Sequence, residues 1–281
     1  MLLLLFPMAF FLPPGAQAGE IIGGQEARPH SRPYMAFVKI EREGKGGSMC
    51  GGFLIREDVV VTAAHCNCNL GNISVLLGAH NFAIDELGRQ KISVRRRIPH
   101  PEFNDETFEN DIMLLQAGQK DCSPAGQVEP RPQWVGQTED LSPGTLRNKA
   151  KMTQTVGTIS LSQETVKKGT VCSVAGWGQT SMKTNAQPSR TLQEVELMVM
   201  GKCMCLSRPY LHYVPSRMLC VGDPQERKAP FLGDSGGPLV CNGKATGIVS
   251  HGTGDGSTPS VFTKLSKYVC WIKKTLRKLK P

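Results

Sequence analysis

The chain has 281 residues, ten cysteines and a formal charge of +9. Its length fits one large domain or two small ones, and its 40 % hydrophobic content is that of a globular protein. The positive charge comes without a nucleic-acid recognition motif, so a specific nucleic-acid partner is not expected.

Met1 to Ala18 carries an apolar run, Leu2 to Leu12, and a small-x-small site, Ala16-Gln17-Ala18. This reads as a secretory signal peptide, and the run is too short for a membrane span. Gly19-Glu20 then remains before Ile21-Ile22-Gly23-Gly24. Short β-branched runs follow at Ala36 to Ile40, Val59 to Thr62, Ile73 to Leu77, Lys91 to Arg95, Val171 to Ala175 and Thr246 to Ser250. Gly, Pro or Asn separates them, and they predict the short antiparallel strands of a sandwich or barrel. The one good helix runs from about Ser266 to Leu279 and ends in Lys and Arg, which suit a helix C-terminus.

Three separated segments carry chemistry. Thr62-Ala63-Ala64-His65-Cys66, Asn110-Asp111-Ile112-Met113-Leu114 and Gly233-Asp234-Ser235-Gly236-Gly237-Pro238 supply a His, an Asp and a Ser in that order. A serine hydroxyl is a weak nucleophile until a base takes its proton, and the base needs a partner to fix its tautomer. Singly, each segment reads as a turn or a stray histidine. Jointly they point to acyl transfer, in one of the three known chain orders. His65-Cys66-Asn67-Cys68 lacks a second ligand pair at finger spacing, so no metal is expected, and no cofactor. Cysteines behind a signal peptide imply disulfides. Asn72-Ile73-Ser74 is a glycosylation sequon. Basic residues cluster at Lys91 to Arg97 and Lys273 to Lys280, which in a secreted protein favours a sulfated proteoglycan partner over a merely solvated face.

Ile21-Ile22-Gly23-Gly24, Cys50-Gly51-Gly52-Phe53-Leu54-Ile55, the His65 and Asp111 segments, Cys172 to Gly178 and Gly233 to Leu239 resemble the chymotrypsin-fold serine proteases of the granzyme, chymase and cathepsin G group. The Gly-Glu dipeptide and Phe231 point to the granule subgroup. Cys220-Val221-Gly222-Asp223-Pro224 and the ending Trp271 to Thr275 look most like granzyme B or H. The resemblance implies an all-β fold, two antiparallel six-stranded β-barrels with a C-terminal helix and the site between them. The protease domain would cover 21–281, with the first barrel to about 157 and the second from about 158.

The same resemblance implies His65 as general base and acid, Asp111 as its orienting partner and Ser235 as nucleophile. Gly233 and Ser235 would form the oxyanion hole. Removing Gly19-Glu20 would expose an ammonium on Ile21 that pairs with Asp234 and orders the Gly233 to Ser235 backbone, since a buried pair forms only when both charges are matched. Ala229 and Ser260 would line the base of the primary pocket, with Ser250, His251 and Gly252 on the strand that pairs with substrate. Neither pocket-base residue is charged, so apolar or aromatic side chains should be preferred. The implied disulfides are Cys50–Cys66, Cys172–Cys241, and Cys220 with Cys203 or Cys205. Partners would be protein substrates and inhibitors such as serpins, and the location a secretory granule and the extracellular space. The alternative is a cationic antimicrobial or glycan-binding protein on a protease scaffold.

Residues 117–145 depart from the group. They hold Cys122, Trp134 and Pro124, Pro130, Pro132 and Pro143, with no period of 2 or 3.6. Excising them restores the group's pattern in frame at Leu146. A long structureless insertion in a compact domain is improbable, so it reads as a retained intron or gene-model error rather than an exosite loop.

Overall fold

The computed structural model describes residues 21–42, 45–67, 71–118, 149–183, 186–207, 210 and 212–279. The signal peptide, the Gly19-Glu20 dipeptide, Cys68, Cys122 and nearly all of the 117–145 segment lie outside them.

Thirteen strands are present among the described residues: β1 (Gln25–Glu26), β2 (Met35–Arg42), β3 (Lys45–Arg56), β4 (Val59–Thr62), β5 (Asn72–Leu77), β6 (Gln90–Pro99), β7 (Met113–Ala117), β8 (Val171–Gly176), β9 (Gln193–Met198), β10 (Met218–Val221), β11 (Pro238–Cys241), β12 (Lys244–His251) and β13 (Ser260–Lys264). Two helices join them, α1 (Lys202–Leu206) and α2 (Val269–Lys278).

Strands β2 to β7 close into a six-stranded barrel in the order β2-β3-β4-β7-β6-β5. Where alternate side chains point inward, burial alternates, as in β5, whose Ile73, Val75 and Leu77 are buried between exposed or half-buried neighbours. β4 is buried along its whole length and β7 up to its last residue. Their apolar cluster extends to the far end of the chain. Ile272 and Leu279, from α2 and its cap, belong to the same apolar cluster as Val59, Val61, Leu114 and Leu115. Arg56 also donates to the carbonyl of Leu276 at 3.1 Å.

The second half forms a sheet in the order β1-β9-β8-β11-β12-β13-β10. Its ends meet. Val199 bridges Val221, Met200 N–H donates to Cys220 O and Gly222 N–H to Met198 O, both at 2.8 Å, so β8 to β13 curl back on themselves. The expected six strands are there, and β1 adds a seventh on β9 through Gln25↔Glu194 and Glu26↔Gln193. The N-terminal strand thus belongs to the second sheet, while the C-terminal helix packs on the first barrel.

Three disulfides staple the described residues: Cys50–Cys66, Cys172–Cys241 and Cys205–Cys220. The choice between Cys203 and Cys205 follows from helix geometry. Two residues apart on α1, they face different ways; Cys205 is buried toward β10, and Cys203 is an exposed thiol, as is Cys270. The predicted helix from Ser266 is in fact a 3₁₀ turn at Leu265–Lys267 followed by α2.

Candidate active site

The His65, Asp111 and Ser235 segments converge where the two barrels meet. His65 sits in a 3₁₀ turn, Ala64–Asn67, at the end of β4. Asp111 lies two residues before β7, which pairs with β4 through Thr62↔Met113. That pairing sets the two side chains side by side. His65 Nδ1 lies 2.8 Å from Asp111 Oδ2, and the His65 backbone N–H donates to Asp111 Oδ1 at 2.9 Å.

Asp111 is fully buried, yet its carboxyl is held below the ordinary carboxylate range. Burial alone pushes it up. The charge and hydrogen bonds of His65, together with Ser250 Oγ donating at 2.6 Å, outweigh that cost. Thr263 Oγ1 also donates to the Asp111 carbonyl at 2.8 Å. Ser250 was legible only as part of the substrate strand, and its bond to Asp111 went unforeseen. So did a wall of rings around His65. Phe108, at φ 55°, lies edge-on to His65 with centroids 5.6 Å apart and tilted against His251 at 4.9 Å. His251 Nδ1 is 3.1 Å from Ser250 Oγ. The single Ser250 proton goes to Asp111, so the imidazole is the donor in that contact. Burial pushes the His251 pKa down to about 4, which keeps the ring neutral at pH 7.

Ser235 reaches the site by backbone contact. Gly51 N–H donates to Ser235 O at 2.8 Å, and Gly236 N–H donates to Val249 O at 2.8 Å. Gly236 must be glycine: at φ 85° an added Cβ would lie 2.2 Å from Thr62 Oγ1. The Ser235 side chain is half-buried, and its hydroxyl makes no hydrogen bond to His65. The backbone N–H groups of Gly233 and Ser235 have no acceptor among the described residues. Backbone donors without an acceptor are what a developing oxyanion needs.

Asp234 points the other way, into the second barrel. Its carboxylate takes Gly178 N–H at 2.8 Å and Phe231 N–H at 2.9 Å, and no cation among the described residues touches it. Burial pushes its pKa up to about 6, against which the two N–H bonds pull only weakly. Gly178 leaves room for it; a Cβ there would lie 2.5 Å from the Asp234 carboxyl carbon. Ile21 is fully buried in the core of the same barrel.

Of the remaining predicted positions, Gly252 and Ser260 lie side by side, and the others are placed separately. Ala229 is buried and its N–H donates to Ile22 O at 3.0 Å. Ser260 is buried opposite Val221, and a Cβ on Gly252 would lie 3.6 Å from its hydroxyl. Asn72 is exposed at the start of β5. Of the basic run, Lys91, Arg95 and Arg96 are exposed, while Arg97 turns back to Asn67 and Gly71. Donor atoms of Cys50, His65 and Cys66 cluster within 4.8 Å, but the two sulfurs are one disulfide. Among the described residues no helix is long and apolar enough to cross a membrane.

Comparison with known proteins shows the family. Residues 21–272 match the family described as Trypsin. The chain is 48 % identical to mast cell protease 3 of Ovis aries, over 96 % of this chain and 94 % of that protein. It is 47 % identical to cathepsin G of Homo sapiens, over 99 % and 95 %, and 46 % identical to granzyme B of Homo sapiens, over 98 % of each. A solved structure, "Structure of GrC", superposes with a TM-score of 0.76 at 40 % identity, covering 92 % of this chain and all of that one. The chain belongs to the trypsin family of serine endopeptidases, among the granzymes and cathepsin G.

Proposed function

We propose that this protein is a granule-type endopeptidase that cleaves peptide bonds through an acyl-enzyme on Ser235. The Ser235 proton passes to His65 Nε2 as the oxygen attacks the scissile carbonyl. Asp111 holds the tautomer that leaves Nε2 free, and the Gly233 and Ser235 N–H groups take the developing negative oxygen. His65 then gives the proton to the departing amine, and water repeats the sequence to release the acid. The observation that carries this reading is the bonding of Asp111: a buried carboxylate fixed by His65 and Ser250, beside two unpaired backbone donors.

Activation follows from Asp234. Release of Gly19-Glu20 frees the Ile21 ammonium, which would supply the missing cation. Specificity follows from Ala229 and Ser260, uncharged and buried, which favour Phe, Tyr, Leu or Met before the scissile bond and offer nothing to a charged side chain. Action on immune or cytotoxic substrates, control by serpins, glycosylation at Asn72 and attachment to sulfated proteoglycans belong to the same reading. The glycan part rests on the charge of +9, which trimming raises by removing Glu20.

The test is Ser235→Ala. It should cut peptide turnover by about a millionfold and abolish fluorophosphonate labelling, while the trimmed parent labels and prefers apolar residues in a peptide library. Equal ester turnover by mutant and parent overturns the mechanism. A library dominated by a charged residue overturns the specificity and leaves the mechanism standing.

A further inference from the structure

Adjacent residues of a regular β-strand point to opposite faces of the sheet. Ser250 and His251 are adjacent at the end of β12, yet their side chains touch. The reason is a β-bulge. Val249 pairs with Phe262 and His251 with Val261, so Ser250 is an extra residue on its strand. A bulge re-aims side chains, and here it brings His251 Nδ1 to 3.1 Å from Ser250 Oγ. Two rings hold the imidazole in that pose. Phe108 lies 4.9 Å away with its plane at 33°, and Tyr210 lies 6.2 Å away at 63°.

A serine hydroxyl has one proton and two lone pairs, and it rotates to suit its neighbours. Once His251 Nδ1–H occupies a lone pair of Ser250, the hydroxyl proton is left for Asp111 Oδ2, 2.6 Å away. Burial keeps the His251 ring neutral against the pull of the Asp111 charge. A neutral imidazole carries a single N–H, and the contact with Ser250 fixes it on Nδ1. A carbon ring in the same place would keep the packing against Phe108 and lose the donor.

We propose that His251 is a positioning residue for peptide cleavage: its Nδ1–H donates to Ser250 Oγ, turns the hydroxyl proton onto Asp111 and so steadies the carboxylate that orients His65. The donors run one way, from His251 to Ser250 to Asp111, and each bond polarises the next. This rests on the Ser235 mechanism above and adds to it a residue outside the His65, Asp111 and Ser235 set.

The readout is the rate at which a small alkyl fluorophosphonate labels trimmed chain. Such a probe carries no peptide, so it reports on the reacting groups and not on the fit of a substrate to β12. Rates are taken per labelled site, so a variant that folds poorly still reports. His251→Phe keeps a ring and removes the donor; it should slow labelling about three- to fivefold, the worth of one neutral hydrogen bond. His251→Asn places an amide N–H the same number of bonds from the backbone, gives up the ring and should recover most of that loss. In a Ser250→Ala background His251→Phe should cost less than about twofold more, because the two residues act through one contact. Equal rates for His251→Phe and the parent overturn the proposal and leave the Ser235 mechanism standing. A loss in His251→Asn as large as in His251→Phe overturns it too, since the ring and not the donor would then matter. So does an undiminished loss in the Ser250→Ala background. A parent that does not label at all overturns the mechanism and this role with it.

Discussion

Asp111 and Asp234 are both fully buried carboxylates, placed within one site region by the same fold, and they behave oppositely. Asp111 is held below its ordinary range because His65 and Ser250 are built in as partners. Asp234 is pushed up to about 6 because two backbone N–H groups are all that the described chain provides. One carboxylate is finished when the protein folds. The other has no cation among the described residues, and the proposed cut before Ile21 would supply one. Burial alone decides neither; what decides is whether a donor or cation arrives before desolvation must be met.

Several changes would sharpen or break that contrast, starting with the largest. Asp111→Asn should leave the fold intact and lower kcat by about ten-thousandfold, because the amide favours the wrong His65 tautomer. A loss under about tenfold on a peptide substrate would mean that Asp111 does not orient His65. Chain that retains Gly19-Glu20 should react with a fluorophosphonate on the order of a thousandfold more slowly than trimmed chain, the scale of a lost oxyanion donor. Equal labelling rates would show that Asp234 needs no ammonium.

The same contrast should appear in stability. In the untrimmed chain the folded Asp234 binds its proton more tightly than an unfolded aspartate does. The contribution of Asp234 to stability is then fully present below about pH 4 and is lost as pH rises through about 6, by on the order of 3 kcal/mol. Trimming supplies the cation and should remove that fall. Melting temperatures of trimmed and untrimmed Ser235→Ala chain at pH 4.5 and 7 would measure it, and their difference cancels the histidines common to both. Parallel pH profiles for the two forms would rule out the ion pair.

Much of this was legible from short segments. The three chemical motifs, the β4 run and the Cys50–Cys66 pairing are local patterns or follow a resemblance that local patterns carry. What stayed hidden depends on contacts across long separations. Ser250 donates to Asp111 across 139 residues, and nothing around either residue announces it. Phe108 reaches His65 and His251 through a left-handed backbone turn that its neighbours Thr107 and Glu109 do not signal. The partner of Cys220 depended on which face of a five-residue helix is buried.

Ser250→Ala tests the hidden part. It should raise the Asp111 pKa toward its ordinary value and lower kcat by about tenfold, the worth of one hydrogen bond to a charge. An unchanged kcat would make Ser250 a strand residue only. The smallest effect is expected at the 117–145 segment. Ala117, the last residue of β7 and the first of the segment, donates its N–H to Asp58 O at 2.8 Å. Ala150 N–H donates to Glu57 O at 2.7 Å, so consecutive residues hold both ends, and after excision Leu146 would take the place of Ala117. Those anchors lie at the β3–β4 turn, at the opposite end of β4 from His65. Deleting 117–145 should keep peptide turnover within about twofold and leave the melting temperature equal or higher, since closure entropy changes little with loop length. Loss of folding or activity would make the segment a structural element.

The exchange of chain ends carries a consequence for synthesis. The first barrel owns β2 to β7, yet Ile272 and Leu279 complete its apolar cluster. A ribosome reaches them on the order of ten to thirty seconds after Leu115, at ordinary elongation rates. Until then the cluster that holds Val59, Val61, Leu114 and Leu115 lacks its last members. The half of the chain that is made first therefore carries unfinished apolar surface until its last helix arrives.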